Sequence, residues 1–444
     1  MLEISMIGTG YVGLVSGACL ADFGHAVHCI DIDEKRIEAL NRGEIPIYEP
    51  GLTELVRKNV EAGRLSFSTD LRPAVAASNV VFVAVGTPPR EDGSTDLSHV
   101  HAAIKDVAAA VPRGEYRVVV QKSTVPVGTA RAVGDLFREH ASADATFDLV
   151  SNPEFLREGS AIEDFMRPNR VVIGVESRKA REIMEEIYRP LYLLETPMVI
   201  TNLETAELIK YASNAYLAVK ISFINEMADL CERVGAEIDV LARAMGLDRR
   251  IGPKFLHAGA GFGGSCLPKD TSSILHTGRE RSLDLRIIRS AVEVNEDRIE
   301  RVIGKLEDHL GDLKGRTVAV LGLSFKPNTD DVREAPALKV IRRILEKGGK
   351  VKGFDPVAGA TARAELGSAI ELARDAREAT QGAHALVLMT EWNEFRQLDL
   401  EGMREAMAEP VIVDCRNVYS PARMRALGFR YTSFGRSAAS DGGR

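Results

Sequence analysis

Long apolar runs are missing from this 444-residue chain, and none approaches the ~20 residues that a membrane-crossing helix needs. Cysteine is sparse: five residues, an odd number, lie scattered at Cys19, Cys29, Cys231, Cys266 and Cys415. None forms a CxxC pair, so neither a structural metal site nor a disulfide framework is indicated, and the pattern suits a reducing compartment. Positive charge is not in excess either. The formal net charge is −7, which argues against a nucleic-acid surface. The opening MLEISMIGTG carries Glu3, no basic leader and an apolar stretch interrupted by glycines, so it reads as a strand and turn rather than a signal peptide. A cytoplasmic protein is expected, with no metal, no nucleic acid and no membrane among its partners.

What the chain does contain is ordinary globular material, 45% hydrophobic and 27% charged, enough for two or three domains. Short apolar runs at 2–7, 26–30, 80–85, 117–121 and 147–151 alternate with amphipathic stretches, as in a parallel sheet covered on both faces. Near Thr201 the pattern changes. Residues 201–234 run without Gly or Pro, and Thr201 with Glu204 has the form of a capping box. A second helical stretch covers roughly 285–310, after a glycine-rich loop. Strand-like runs resume at Arg316 and recur at 349–354, 384–389 and 411–414. The expected plan is α/β: two Rossmann-like doubly wound domains (1–200 and 311–432) joined by a long central helix and a helical region (201–310), with a flexible tail at 433–444.

Gly8-Thr9-Gly10-Tyr11-Val12-Gly13 follows the first strand and opens a helix. Gly8 permits the tight turn, Gly10 lets backbone approach a pyrophosphate, and Gly13 allows close packing of helix on strand. The helix N-terminus offers free N–H groups to the phosphates. Asp31, about 20 residues on, ends the second strand, where a carboxylate accepts hydrogen bonds from the adenosine ribose and repels a 2′-phosphate. NAD is therefore favoured over NADP, although Lys35 and Arg36 lie nearby. A bare glycine turn with a surface Asp is the bland alternative, and it does not explain strand, turn, helix and acid falling in register.

Residues 259–270 read GAGFGGSCLPKD. A lone cysteine is ordinarily a small buried hydrophobe. Here it follows a polar, glycine-rich loop, with Lys269 placed to favour a thiolate and Asp270 supplying a carboxylate. This segment resembles the catalytic-cysteine loop of the UDP-glucose/GDP-mannose dehydrogenase family. PIYEPGL at 46–52, VGTPP at 85–89, KSTVPVGT at 122–129, SNPEFLREG at 151–159 and GLSFKPNTDDVREAP at 322–336 extend the likeness over essentially the whole chain.

The resemblance implies a four-electron oxidation of a hexose C6 alcohol to a carboxylate, with UDP-glucose the first choice of substrate and GDP-mannose and UDP-N-acetyl sugars behind it. It assigns Cys266 as nucleophile and Lys210 as the positive partner of oxygen anions. Asn214, four residues further along the same helix face, would support that lysine. Asp270 would position water, and Glu154 and Thr124 would handle protons near the C6 hydroxyl. Which of Lys210, Asp270 and Glu154 is the base in each half-reaction stays open. For NAD it adds Arg36, Thr87, Thr124, Glu158, Lys269 and Arg333 to the glycine turn and Asp31. For the sugar nucleotide it adds Phe155, Leu156, Arg157, Gly263, Phe325, Lys326 and Arg416. Arg250 matches an arginine that the family supplies from a neighbouring subunit, which implies at least a homodimer with the 201–234 helix as contact surface. Cys415 stands where the family commonly has Gly, and could shift the loop that carries Arg416.

Two other classes remain to be separated. A two-electron dehydrogenase needs neither the cysteine nor a second α/β domain and yields one NADH per substrate. A non-catalytic binding module would have lost Cys266, Lys210 or Asp270, and all three are present.

Overall fold

The computed structural model describes residues Met1–Arg436. Two compact units emerge: Met1–Ser213 together with Ser272–Ser282, and Asn214–Thr271 together with the described chain from Leu283 to Arg436. Each is built on its own sheet.

The first unit holds β1 (Glu3–Ile7), β2 (Ala26–Ile30), β3 (Leu65–Ser68), β4 (Val80–Val83), β5 (Tyr116–Gln121), β6 (Thr146–Ser151), β7 (Val171–Val175) and β8 (Met198–Thr201). Their order is β3-β2-β1-β4-β5-β6-β7-β8. Every pairing is parallel except β6 with β7. Val80, Val81, Phe82 and Val83 are all buried, because helices cover both faces of the sheet and leave no polar side for alternation. The first six strands have the dinucleotide-fold order, in which the chain reverses direction across the sheet between β1 and β4. Ligands of such sheets sit outside the carboxyl ends of the strands at that reversal. Gly8 follows β1 there.

The second unit repeats the plan with β9 (Thr317–Leu321), β10 (Lys350–Phe354), β11 (Glu371–Leu372), β12 (Ala385–Leu388), β13 (Val411–Asp414) and β14 (Arg430–Ser433). The order β11-β10-β9-β12-β13-β14 is again the doubly wound one, and all pairs are parallel. The two doubly wound sheets and the long helix Leu203–Val234, 32 residues, are those expected from the sequence.

Two expectations need correction. Thr201 does not cap the long helix. It pairs with Gly174 as the last residue of β8, and Asn202 takes the capping role, its Oδ1 accepting from Thr205 N at 2.9 Å. Glu204 turns outward to Arg131. The tail expected from 433 is tied down further than that. Ser433 ends β14, Phe434 is fully buried, Gly435 N donates to Glu232 at 2.8 Å, and Arg436 pairs with Asp239 at 2.6 Å. The rest of that expectation, 437–444, lies outside the described residues. Among the described residues no helix is long and apolar enough to cross a membrane.

Candidate active site

In the first unit the glycine turn is fixed by contact. Gly8 adopts a φ of 96°, and a Cβ on Gly13 would stand 1.9 Å from the Gly8 carbonyl oxygen, so helix and strand touch through bare backbone. A Cβ on Gly10 would meet nothing within 4 Å, which leaves that side of the turn open to a pyrophosphate. Tyr11 and Val12 begin the helix Tyr11–Asp22 and are half-buried.

Asp31 faces this turn. Its Oδ2 accepts from Thr9 N at 2.7 Å, Thr9 Oγ1 at 2.8 Å and Arg36 Nη1 at 3.1 Å, while Oδ1 accepts from Asp33 N at 3.1 Å. Burial pushes the carboxyl up, but the two backbone N–H groups, the Thr9 hydroxyl and Arg36 outweigh it and hold the group below its ordinary range. Oδ1 keeps acceptor capacity for a ribose hydroxyl. The residues present therefore fit a dinucleotide at its adenosine and pyrophosphate ends. At the C-terminal ends of β4 and β5, Thr87 Oγ1 donates to the Thr124 carbonyl at 3.0 Å, so these two expected cofactor residues adjoin.

Glu154 and Lys210 meet in the same unit, 2.9 Å apart and both buried. Burial pushes the Glu154 carboxyl up, yet the Lys210 ammonium, the Leu156 N–H at 2.6 Å and the Lys122 charge pull it below the ordinary range. The pair holds the Lys210 ammonium inside the fold rather than at its surface. Phe155 lies between cations: the Arg170 guanidinium stacks 3.4 Å from its ring centre and Lys210 Nζ is 5.5 Å away. Arg157 points outward and forks onto Asp164, with Nη2 to Oδ1 at 2.6 Å. Glu158 is half-buried on the same segment.

The second unit gathers the cysteine loop. The Cys266 carbonyl accepts from Asp270 N at 2.8 Å, which puts Cys266 at the N-cap of the helix Leu267–Glu280. The positive end of a helix dipole favours a thiolate at that position. Asp270 is 1% exposed and accepts from Asn214 Nδ2 at 2.6 Å and Lys269 Nζ at 2.7 Å. Lys269 is thus turned to the carboxylate beside it.

Gly263 and Gly264 are backed by the 322–336 loop. A Cβ on Gly263 would stand 2.3 Å from the Glu334 carbonyl oxygen, and one on Gly264 would stand 2.7 Å from the Phe325 ring. Gly264 N donates to the Arg333 carbonyl at 3.0 Å, while the exposed Arg333 side chain forks onto Asp331. Lys326 Nζ lies 5.2 Å from the Phe325 ring centre. Arg416 reaches the same place: Nε donates to the Met389 carbonyl at 2.7 Å and Nη2 to the Phe325 carbonyl at 3.4 Å. Cys415 continues the backbone from β13, its N–H bonded to the Leu388 carbonyl at 2.9 Å. Its side chain is buried, with the thiol pushed up to about 12, and the loop turns only at Asn417, φ 54°. Arg250 stays exposed and forks onto Asp248.

Several supporting residues carry no sequence signature. Asn295 brackets Phe262, accepting from its N–H at 2.7 Å and donating to its carbonyl at 3.1 Å. Asn225 accepts from Gly259 N at 2.8 Å, and the buried Arg298 donates to the Gly259 carbonyl at 3.0 Å. In the first unit Glu207 receives Gly128 N and Ala130 N at 2.7 and 2.8 Å, in a cleft lined also by Thr124 and Lys210. Only their long-range partners reveal these roles.

A doubly wound sheet with a glycine turn and an opposed carboxylate defines the first unit as a dinucleotide-binding domain of the dehydrogenase type. Family models agree over three stretches: residues 2–192 match the NAD binding domain of the UDP-glucose/GDP-mannose dehydrogenase family, 204–297 its central domain and 319–421 its UDP binding domain. The chain belongs to the UDP-glucose/GDP-mannose dehydrogenase family. It is 54% identical over 441 residues to a UDP-glucose 6-dehydrogenase of Rhizobium meliloti, covering 98% of this chain and all of that one. A UDP-glucose 6-dehydrogenase of Bacillus subtilis is 48% identical, with 99% and 94% covered. The solved structure of a UDP-glucose dehydrogenase from Pyrobaculum islandicum superposes with a TM-score of 0.90 at 40% identity, covering 98% and 96% of the two chains.

Proposed function

We propose that this chain oxidises UDP-glucose to UDP-glucuronate with two molecules of NAD, through a covalent intermediate on Cys266. The observation that carries the chemistry is the place of Cys266, half-buried at a helix N-cap and one turn from an Asp270 held by Asn214 and Lys269. Likeness to UDP-glucose 6-dehydrogenases over nearly the full length supports the choice of sugar nucleotide.

NAD, when bound, supplies the hydride acceptor for both oxidations. The chain's own residues do the rest. In the first half, C6 loses a hydride while the hydroxyl proton passes through water to the Glu154–Thr124 side. The Cys266 thiolate then adds to the aldehyde, forming a C–S bond and an oxygen anion that the Lys210 charge stabilises. Loss of a second hydride converts this thiohemiacetal to a thioester. Water, oriented by Asp270 with Asn214, adds to the thioester, and the C–S bond breaks to return the thiolate. The 259–266, 322–336 and 415–416 loops would hold the nucleotide end, and Arg250 would act on a neighbouring subunit's substrate. A homo-oligomer is supported by an apolar stripe on the long helix, where Tyr216, Phe223 and Leu230 recur every seven residues and remain 62%, 42% and 50% exposed. A monomer in analytical ultracentrifugation would overturn that part. We place the protein in the cytoplasm, on the free state of its five cysteines.

The test is NADH formed per sugar nucleotide, with UDP-glucose, UDP-N-acetylmannosamine and GDP-mannose assayed separately. Two NADH with UDP-glucose alone is expected. One NADH, or a preference for either other sugar, would overturn the reading.

A further inference from the structure

The PIYEPGL stretch at 46–52 has no part in the chemistry above, yet it delivers a buried carboxylate into the first unit. Pro50-Gly51 forms a tight turn, with Leu52 N bonded to the Glu49 carbonyl at 3.1 Å and Gly51 at a φ of 83°. Leu52 is fully buried in the core that also contains Leu14 and Ala161, which fixes the turn in place. Glu49 is 6% exposed, and its carboxylate takes three donors. Oε2 accepts from Gly159 N at 2.6 Å and from the Tyr11 hydroxyl, and Oε1 accepts from Ala161 N at 2.7 Å.

These donors come from two places that matter. Tyr11 stands directly after Gly10 in the dinucleotide turn, and burial together with the Glu49 and Glu158 charges keeps its phenol protonated, hence a donor. Gly159 and Ala161 follow the segment that carries Glu154, paired to Lys210, and Glu158. We infer that Glu49 is a positioning residue that joins the dinucleotide turn to the Glu154–Gly159 segment, so that a single carboxylate sets both cofactor affinity and the geometry of the reacting side. A charged acceptor suits this task because both oxygens must accept. Glutamine offers one oxygen and would turn an NH₂ toward a backbone N–H.

The inference rests on the proposed reaction for its kinetic arm only. Glu49→Gln and Tyr11→Phe, singly and combined, are measured in two ways: NAD affinity by calorimetry without sugar nucleotide, and steady-state oxidation of UDP-glucose at saturating NAD. Glu49→Gln should raise the NAD Kd, raise the KM for UDP-glucose and lower kcat, each on the order of tenfold. Tyr11→Phe, although it lies in the cofactor turn, should raise the KM for UDP-glucose several-fold, and adding it to Glu49→Gln should change nothing further. Wild-type Kd and kcat in Glu49→Gln, or effects that multiply in the double variant, overturn the inference. If Glu49→Gln does not fold, Tyr11→Phe decides alone, an unchanged KM for UDP-glucose being the contrary result. Failure of the wild type to oxidise UDP-glucose would instead overturn the proposed function, and the NAD affinities would still decide the role of Glu49.

Discussion

Lys210 Nζ lies 2.9 Å from Glu154 Oε1, and both side chains are buried. A buried ion pair contributes little when intact, but removing one partner strands the other charge away from water. Lys210→Ala or Glu154→Gln should therefore each cost about 3–5 kcal/mol in a denaturation measurement. The combination Lys210→Met with Glu154→Gln should cost less than the sum of the singles. Additive losses would mean that the two groups do not share their energy. In the folded fraction, Lys210→Ala should lower kcat more than it raises KM.

Asp31 answers two partners at once, Thr9 in the glycine turn and Arg36 on the following helix. Asp31→Ala removes the carboxylate that repels a 2′-phosphate and releases Arg36 to meet one. The ratio of kcat/KM for NAD to that for NADP should fall by an order of magnitude or more, roughly the worth of one charge-assisted contact. An unchanged ratio would remove Asp31 from ribose recognition.

Glu207 gives a pH signature in stability. Burial raises its carboxyl to about 7, against the opposing pull of the Gly128 and Ala130 N–H groups. The unfolded chain loses this proton near the ordinary carboxylate value and the folded chain only near 7. Between roughly pH 4.5 and 7 the folded state thus holds the extra proton, and this group's contribution to stability declines as pH rises, levelling above 7. The total is on the order of 3 kcal/mol. Glu207→Gln should flatten unfolding free energy against pH across that window. The same slope in the variant would assign the titration elsewhere.

Gly264 combines a left-handed φ of 82° with a Phe325 ring that leaves no room for a Cβ. Gly264→Ala should cost about 1–3 kcal/mol in backbone strain. It should also raise the KM for the sugar nucleotide by displacing Phe325, while leaving NAD affinity as it was. A KM equal to that of the wild type would separate this contact from substrate binding.

What the sequence made legible is what is local. Gly8 to Gly13 and Asp31 lie in one β-α-β unit, and fixed spacing along the chain translates into fixed geometry. The cysteine loop announces itself likewise, with glycines, Cys266 and Asp270 inside a dozen residues. Contacts across the sheet were hidden. Glu154 and Lys210 are 56 residues apart, and Glu49 and Gly159 are 110 apart, so nothing in either neighbourhood predicts the partner. The helix cap was misassigned by one residue because strand pairing with Gly174 carries β8 through Thr201, a tertiary effect that overrides a capping-box pattern. β3 and β14 are only four residues each, too short for periodicity to register.

The central claim is that acid formation passes through sulfur at Cys266. The most direct measurement is UDP-glucuronate produced by Cys266→Ala from UDP-glucose and saturating NAD, on protein whose NAD affinity has been confirmed by calorimetry. Undiminished NAD binding and no acid above background are expected. Acid formed at the wild-type rate would contradict that claim.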